Sequence, residues 1–201
     1  MRIAVLANLK TSAPLLQEAP ADTWAELDSP ATTQAIVRVL EQAGHTAAFF
    51  EGNLSLVSEL PRFAPDLCFN LCEGHFGDSR ESHVPALLEM MRLPYTGASV
   101  LGLALTLDKP MTKRVLNAHG LPTPRFQVFT SPDEPLDPAL AFPLFVKPAH
   151  EGSGIGVSGD SRVDDEAALR RQVELVLSGY REPALVERYV DGRELTIGLL
   201  G

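Results

Sequence analysis

The chain has 201 residues, with 17 Lys and Arg against 26 Asp and Glu for a formal net charge of −9. Hydrophobic residues at 45% and charged residues at 21% exclude a disordered chain, and the acidic balance excludes a protein built mainly to grip DNA, because no basic excess exists to displace counterions. Two cysteines, Cys68 and Cys72, cannot build a disulfide framework, and no apolar run approaches the ~20 residues of a membrane span, so the expected location is the cytoplasm.

Ile3–Leu6 reads as the first strand of a parallel sheet. After a proline-containing stretch (Pro14, Pro20), Ser29-Pro30 opens a helix with Ala35, Ile36, Val39, Leu40 and Ala43 on its expected inner face, and Gly44 stops it. Thr46–Phe50 and Asp66–Leu71 read as two further strands, giving a βαβ pattern. Another helix is expected near Ser82–Pro85, carrying Leu87, Leu88, Met90 and Met91. Residues 1–106 are therefore expected to form a small doubly wound, Rossmann-like domain with a parallel sheet.

Beyond Asp108 the pattern changes. Lys109–His119 reads as a helix, Phe126–Phe129 and Phe142–Pro148 as strands, and Glu151–Val157 as a glycine loop leading into another strand. Asp164 is the expected cap of a helix with Leu169, Val173, Val176 and Leu177 on one face, followed by strands at Ala184–Arg188 and Leu195–Leu200. Residues 107–201 are thus expected to be an α+β subdomain. Its last strand reaches Gly201 with no turn or helix after it, which leads us to expect a part of something longer.

The chemistry concentrates in the second half. Lys147 ends a strand, and Gly152, Gly154 and Gly156 follow within ten residues, a composition that can present backbone N–H groups and one cation to phosphate oxygens. No Walker loop exists, and Gly154-Ile155-Gly156-Val157-Ser158-Gly159 lacks the strand and helix that a dinucleotide fingerprint needs. Glu187 and Glu194 bracket a linker with Tyr189 and Val190, which can offer an apolar face to a base and carboxylates to a ribose or amino group. A pair of surface glutamates bonded to Arg188 or Arg193 is the alternative. Cys68, Cys72, His75 and His83 match no zinc spacing, and Ser99 sits in no nucleophile elbow.

Taken together, Leu107-Asp108-Lys109, Phe145-Val146-Lys147-Pro148, Glu151-Gly152-Ser153-Gly154-Ile155-Gly156-Val157 and Leu185-Val186-Glu187-Arg188-Tyr189-Val190-Asp191-Gly192-Arg193-Glu194 resemble, in order and spacing, the ATP-grasp superfamily. Leu93-Pro94-Tyr95-Thr96-Gly97 and Asp108–Lys113 extend the likeness to D-alanine–D-alanine ligases. The resemblance implies that Lys109 and Lys147 contact nucleotide phosphates and that Gly152, Ser153 and Gly154 close over the triphosphate. It also implies that Glu187, Tyr189 and Val190 lie beside adenine and that Glu194 holds the ribose. Such ligases phosphorylate a carboxylate with ATP, and an amine then attacks the acyl phosphate.

Three departures qualify what the resemblance implies. The segment carrying the Mg2+ ligands of such ligases is expected beyond residue 201, so these 201 residues alone are expected to be inactive. After the first strand, Asn8–Pro14 lacks the family's glycine pair and Ser-x-Glu, and Cys72–Ser82 differs from its His-Gly segment. Both differences touch substrate recognition, for which His75, Arg80 and Glu81 are the candidates; Arg80 could equally form a surface ion pair. Alternatives are a non-catalytic nucleotide-binding or interaction module, or an ATP-grasp ligase acting on a different amino or hydroxy acid. Expected partners are ATP and small amino-acid-like substrates, with no nucleic acid or membrane. Pairing into a homodimer through the first domain, with Met90-Met91 as its face, stands beside plain core packing of that face.

Overall fold

The computed structural model describes residues 1–198 and divides into two compact units. One joins Met1–Val115 with Ala149–Gly156; the other joins Leu116–Pro148 with the residues from Val157 onward.

In the first unit Arg2–Ala7 (β1), Thr46–Glu51 (β2) and Leu67–Leu71 (β3) form a parallel sheet in the order β2-β1-β3. β1 is central and buried from Ile3 to Ala7, which is why it reads as an unbroken apolar run rather than an alternating one. Pro30–Gln42 (α1) begins where the Ser29 hydroxyl accepts from the Thr32 N–H, with Pro30 in the first turn, where a missing N–H does no harm. It packs on β1 and β2. Its inward face differs from the expected one: Thr33 is buried and Ile36, Val37 and Leu40 are half-buried, while Ala35, Val39 and Ala43 are exposed. The Thr33 hydroxyl donates to the Pro30 carbonyl at 3.2 Å, so a threonine can take the innermost place and the apolar stripe turns with it.

Two helices in this unit were not expected. Leu56–Phe63 (α2) lies between β2 and β3, and its Leu56 and Leu60 join Ala4, Leu6, Cys68, Val84 and Leu88 in one core. It is only two turns long and contains Pro61, so its sequence shows little helical period. His83–Met90 (α3) follows the expected pattern and is followed by Val100–Leu107 (α4). α4 was missed because seven of its eight residues are apolar or glycine, which leaves no polar face to mark the repeat. Lys109–Ala118 (α5) forms as expected, with Asp108 Oδ1 accepting from the Met111 N–H.

The second unit carries Phe126–Phe129 (β4), Leu144–Pro148 (β5), Arg162–Val163 (β6) and Ala184–Arg188 (β7) in an antiparallel sheet ordered β4-β7-β5-β6. Leu144, Val146, Ala184 and Val186 point from one sheet face into a core with Leu169 and Val173 of Glu166–Leu175 (α6). The cap of α6 is Asp165, whose carboxylate accepts from the Ala168 N–H at 2.8 Å; Asp164, expected there, instead pairs with Arg162. The glycine loop reaches β6 through a short turn at Gly159–Ser161, fixed by the Ser158 hydroxyl, rather than running straight into a strand. The strand expected at Leu195–Leu200 is absent over 195–198, where the chain is exposed and pairs with no strand among the described residues; its remainder lies outside the described residues. One parallel α/β unit and one antiparallel α+β unit are the fold class read from the sequence.

Candidate nucleotide site

Strand alternation positions the side chains on the second unit. In β5 and β7 the register sets Phe145 opposite Glu187 and Lys147 opposite Leu185, so these four share the face turned away from the Val146–Val186 core. Lys147 Nζ donates to Glu187 Oε1 at 2.5 Å. Glu187 is thus bonded to Lys147, and the ammonium is held at one end of the face.

The chain then leaves the sheet under control of its backbone. The Arg188 N–H donates to the Arg125 carbonyl and the Tyr189 N–H to the Pro143 carbonyl at 3.1 Å. The Tyr189 ring lies 6.3 Å from that of Phe145, with the Arg162 guanidinium 4.9 Å above it, while Val190 is exposed. Lys147, Glu187, Tyr189, Val190 and Glu194 line one cleft of about 190 Å³. That is below the ~300 Å³ at which small-ligand pockets begin, so the cleft suits a part of a ligand rather than a whole nucleotide. Chemically it offers an aromatic and an aliphatic face, one cation and two carboxylate acceptors.

On the first unit, Lys109 Nζ donates to the Glu151 carbonyl and its N–H to the Ala149 carbonyl. The glycine loop turns through a bond from the Ile155 N–H to the Gly152 carbonyl, with Ser153 and Gly154 at positive φ (47° and 79°) and exposed. Successive turns of this kind direct N–H groups toward an anion. The Gly156 N–H donates to Asp22 Oδ2 at 2.9 Å. Arg80 is buried, not on the surface, and binds Glu26 and Glu151 at 2.7 and 2.8 Å. His75 stacks edge-on against Trp24 at 5.5 Å, and its Nε2 is buried with no hydrogen-bond partner among the described residues.

Carboxylates crowd this region. Burial, then repulsion from Glu26 and Glu81, pushes the Glu73 carboxyl up to about 7. Burial followed by Glu26 raises Glu81 as well, with Arg80 and Lys109 opposing. Asp22, Glu26 and Glu73 were not among the residues singled out from the sequence. The available signal was the length of the connection between β1 and α1, which carries only a three-residue turn at Lys10–Ser12; loops of more than ~12–15 residues are commonly functional. Among the described residues no group of three or more His, Cys, Asp or Glu is arranged to hold a metal ion, and no helix is long and apolar enough to cross a membrane.

Comparison with known proteins adds to this geometry. A family model described as the D-ala D-ala ligase C-terminus matches residues 115–201. The chain is 40% identical over 175 residues to the protein y4sG of Sinorhizobium fredii, covering 83% of this chain and 51% of that protein. It is 37% identical over 164 residues to the D-alanine–D-alanine ligase of Bordetella avium, covering 81% of this chain and 50% of the relative. The chain spans about half the length of the curated relatives it matches. In fold it is similar to the D-alanine–D-alanine ligase of Bacillus anthracis complexed with ATP, with a TM-score of 0.70 over 96% of this chain and 60% of that one, at 23% identity.

Proposed function

From a chain that is ATP-grasp in fold and D-alanine–D-alanine ligase-like in sequence, we propose that the protein works as an ATP-dependent carboxylate–amine ligase, these 201 residues supplying its nucleotide-handling part. The observation that carries the reading is the single cleft lined by Lys147, Glu187, Tyr189, Val190 and Glu194. Five residues assigned to one nucleotide on motif grounds share one concavity, which brings an aromatic face, a cation and two carboxylates within reach of one ligand.

Each residue has a task its chemistry supports. Tyr189 and Val190 offer the base a flat apolar contact, and Glu194 accepts from ribose hydroxyls. Glu187 fixes the direction of the Lys147 ammonium, which meets the phosphates as a point charge. On the first unit Lys109 and the N–H groups of Gly152, Ser153 and Gly154 are proposed for the triphosphate. Bound ATP supplies the phosphoryl group that turns a carboxylate into an acyl phosphate, which an amine then attacks. Among the described residues no group of three or more His, Cys, Asp or Glu is arranged to hold a metal ion, and these 201 residues alone are proposed to bind ATP without turning it over.

For the acid or amine substrate, His75 and Glu81 are the proposed contacts. A different amino or hydroxy acid in place of D-alanine is the second reading, favoured by the carboxylates Glu26, Glu73 and Glu81 that crowd around Arg80. The test is calorimetric titration of the chain with ATP, followed by ADP release from the full-length protein across a panel of amino and hydroxy acids. Saturable ATP binding that is lost in Glu194→Ala supports the reading. Failure of the chain to bind ATP at millimolar concentration overturns it.

A further inference from the structure

We propose that Arg80 is a positioning residue for the glycine loop, clasping Glu151 and the His150 carbonyl to the Asp22–Glu26 segment so that the loop is already shaped when nucleotide arrives. The inference rests on the ATP-binding reading above. It departs from both roles that sequence suggested for Arg80, contact with a substrate carboxylate and a surface ion pair.

The geometry is specific. Arg80 Nε and Nη2 donate to Glu26 Oε1 at 3.2 and 2.7 Å, Nη2 donates to Glu151 Oε2 at 2.8 Å, and Nη1 donates to the His150 carbonyl at 3.0 Å. All three nitrogens are directed at protein acceptors. The guanidinium is 7% exposed and the Glu26 carboxylate 4%, so these are desolvated charge-assisted bonds, stronger and more geometrically demanding than a surface pair. A planar fork is what lets one side chain reach two carboxylates and a carbonyl together.

Two glycines make the clasp sterically feasible. Gly74 has φ +74°, and a Cβ there would lie 2.5 Å from the Arg80 carbonyl oxygen. A Cβ on Gly152 would lie 2.8 Å from Glu26 Oε2. The far end of the loop is held from the same segment, by Asp22 accepting from the Gly156 N–H. The loop is therefore held at its start by Arg80, itself bonded to Glu26, and at its end by Asp22, and is exposed at its tip, Ser153-Gly154, which is where the proposed phosphate contacts lie.

The test uses the 201-residue chain with Arg80→Gln, Arg80→Lys and Glu151→Gln. Amide hydrogen exchange is followed in the peptide spanning 150–156, and ATP and adenosine are titrated separately. Glu151→Gln leaves Arg80 paired with Glu26, so it answers the question even if Arg80→Gln does not fold. Loss of the clasp is expected to speed exchange in 150–156 about tenfold while leaving 184–188 unchanged, the signature of local rather than global opening. ATP should weaken about fivefold or more with adenosine unaffected, because the loop meets phosphates and not the base. Arg80→Lys, keeping the charge but not the fork, should recover only part of the protection. Unchanged exchange in Glu151→Gln, unchanged or tighter ATP binding, or parallel loss of ATP and adenosine overturns the proposal. Failure of the unsubstituted chain to bind ATP sinks the nucleotide reading instead, and protection of 150–156 then decides the clasp by itself.

Discussion

Lys147 and Glu187 meet at 2.5 Å although they are not opposite one another: the register pairs Lys147 with Leu185 and Glu187 with Phe145, so the ion pair runs diagonally across β5 and β7. Both side chains are mostly shielded, at 24% and 12% exposure. Removing either partner leaves a largely desolvated charge behind without its mate, whereas removing both takes away the two charges together. Lys147→Met and Glu187→Gln should each cost about 2 kcal/mol in urea unfolding, and the double variant should recover most of that loss without recovering ATP binding. Strictly additive losses in the double variant would show that the two charges are not coupled.

A second expectation concerns pH. The Glu73 carboxyl, raised to about 7 from 4.5 by burial and by Glu26 and Glu81, binds its proton more tightly in the folded chain than in the unfolded one. Its stabilising contribution is therefore complete below pH 4.5 and is lost as pH rises through about 7. Glu73→Gln should match the unsubstituted chain near pH 4 and exceed it by about 1 kcal/mol at pH 8, a figure that allows for solvent screening of a group only partly buried. Parallel stability curves from pH 4 to 8 would place the strain elsewhere.

These two cases show what was legible in sequence. The strand holding Lys147 is announced by an apolar run stopped at Pro148, and β7 by its own apolar run, so the face they share follows from local alternation. Ser29-Pro30 likewise announces α1 because a cap is a contact over three residues. Glu73 and its neighbours are different. Glu26 meets Arg80 across 54 positions and Asp22 meets Gly156 across 134, and no local pattern encodes a contact of that span. α2 and α4 failed for another reason: one is two turns long with an internal proline, and the other lacks a polar face, so neither displays the period by which helices are read. The cap of α6 was misplaced by one position because Asp164 and Asp165 are chemically identical, and only backbone geometry separates them.

Gly74 and Gly97 form a controlled pair for the third prediction. Both have positive φ, +74° and +101°, where a side chain is strained, but only at Gly74 would a Cβ meet backbone, the Arg80 carbonyl oxygen at 2.5 Å. Gly97→Ala should cost about 1 kcal/mol, the conformational penalty alone. Gly74→Ala adds a collision that no side-chain rotation relieves, and about 3 kcal/mol or more is expected in thermal or urea unfolding. Equal losses at the two sites would mean that the Arg80 backbone yields freely.

The two aspartates before α6 give the last prediction. Asp165 has extended backbone (φ −149°, ψ 170°), and its carboxylate accepts from the Ala168 N–H at 2.8 Å, which satisfies a donor the helix cannot satisfy itself. It also stands at the positive end of the helix dipole, adding to the same effect. Asp164 pairs with Arg162 at 3.2 Å, and both side chains are at least half exposed. Asp165→Ala should therefore cost about 1 kcal/mol, and Asp165→Asn little, since an amide oxygen still caps. Asp164→Ala should change stability by no more than about 0.5 kcal/mol, and 0.5 M salt should erase even that, because water already screens the pair. A larger loss at Asp164 than at Asp165 would move the start of α6 by one residue and, with it, the face that Leu169 and Val173 turn to the sheet.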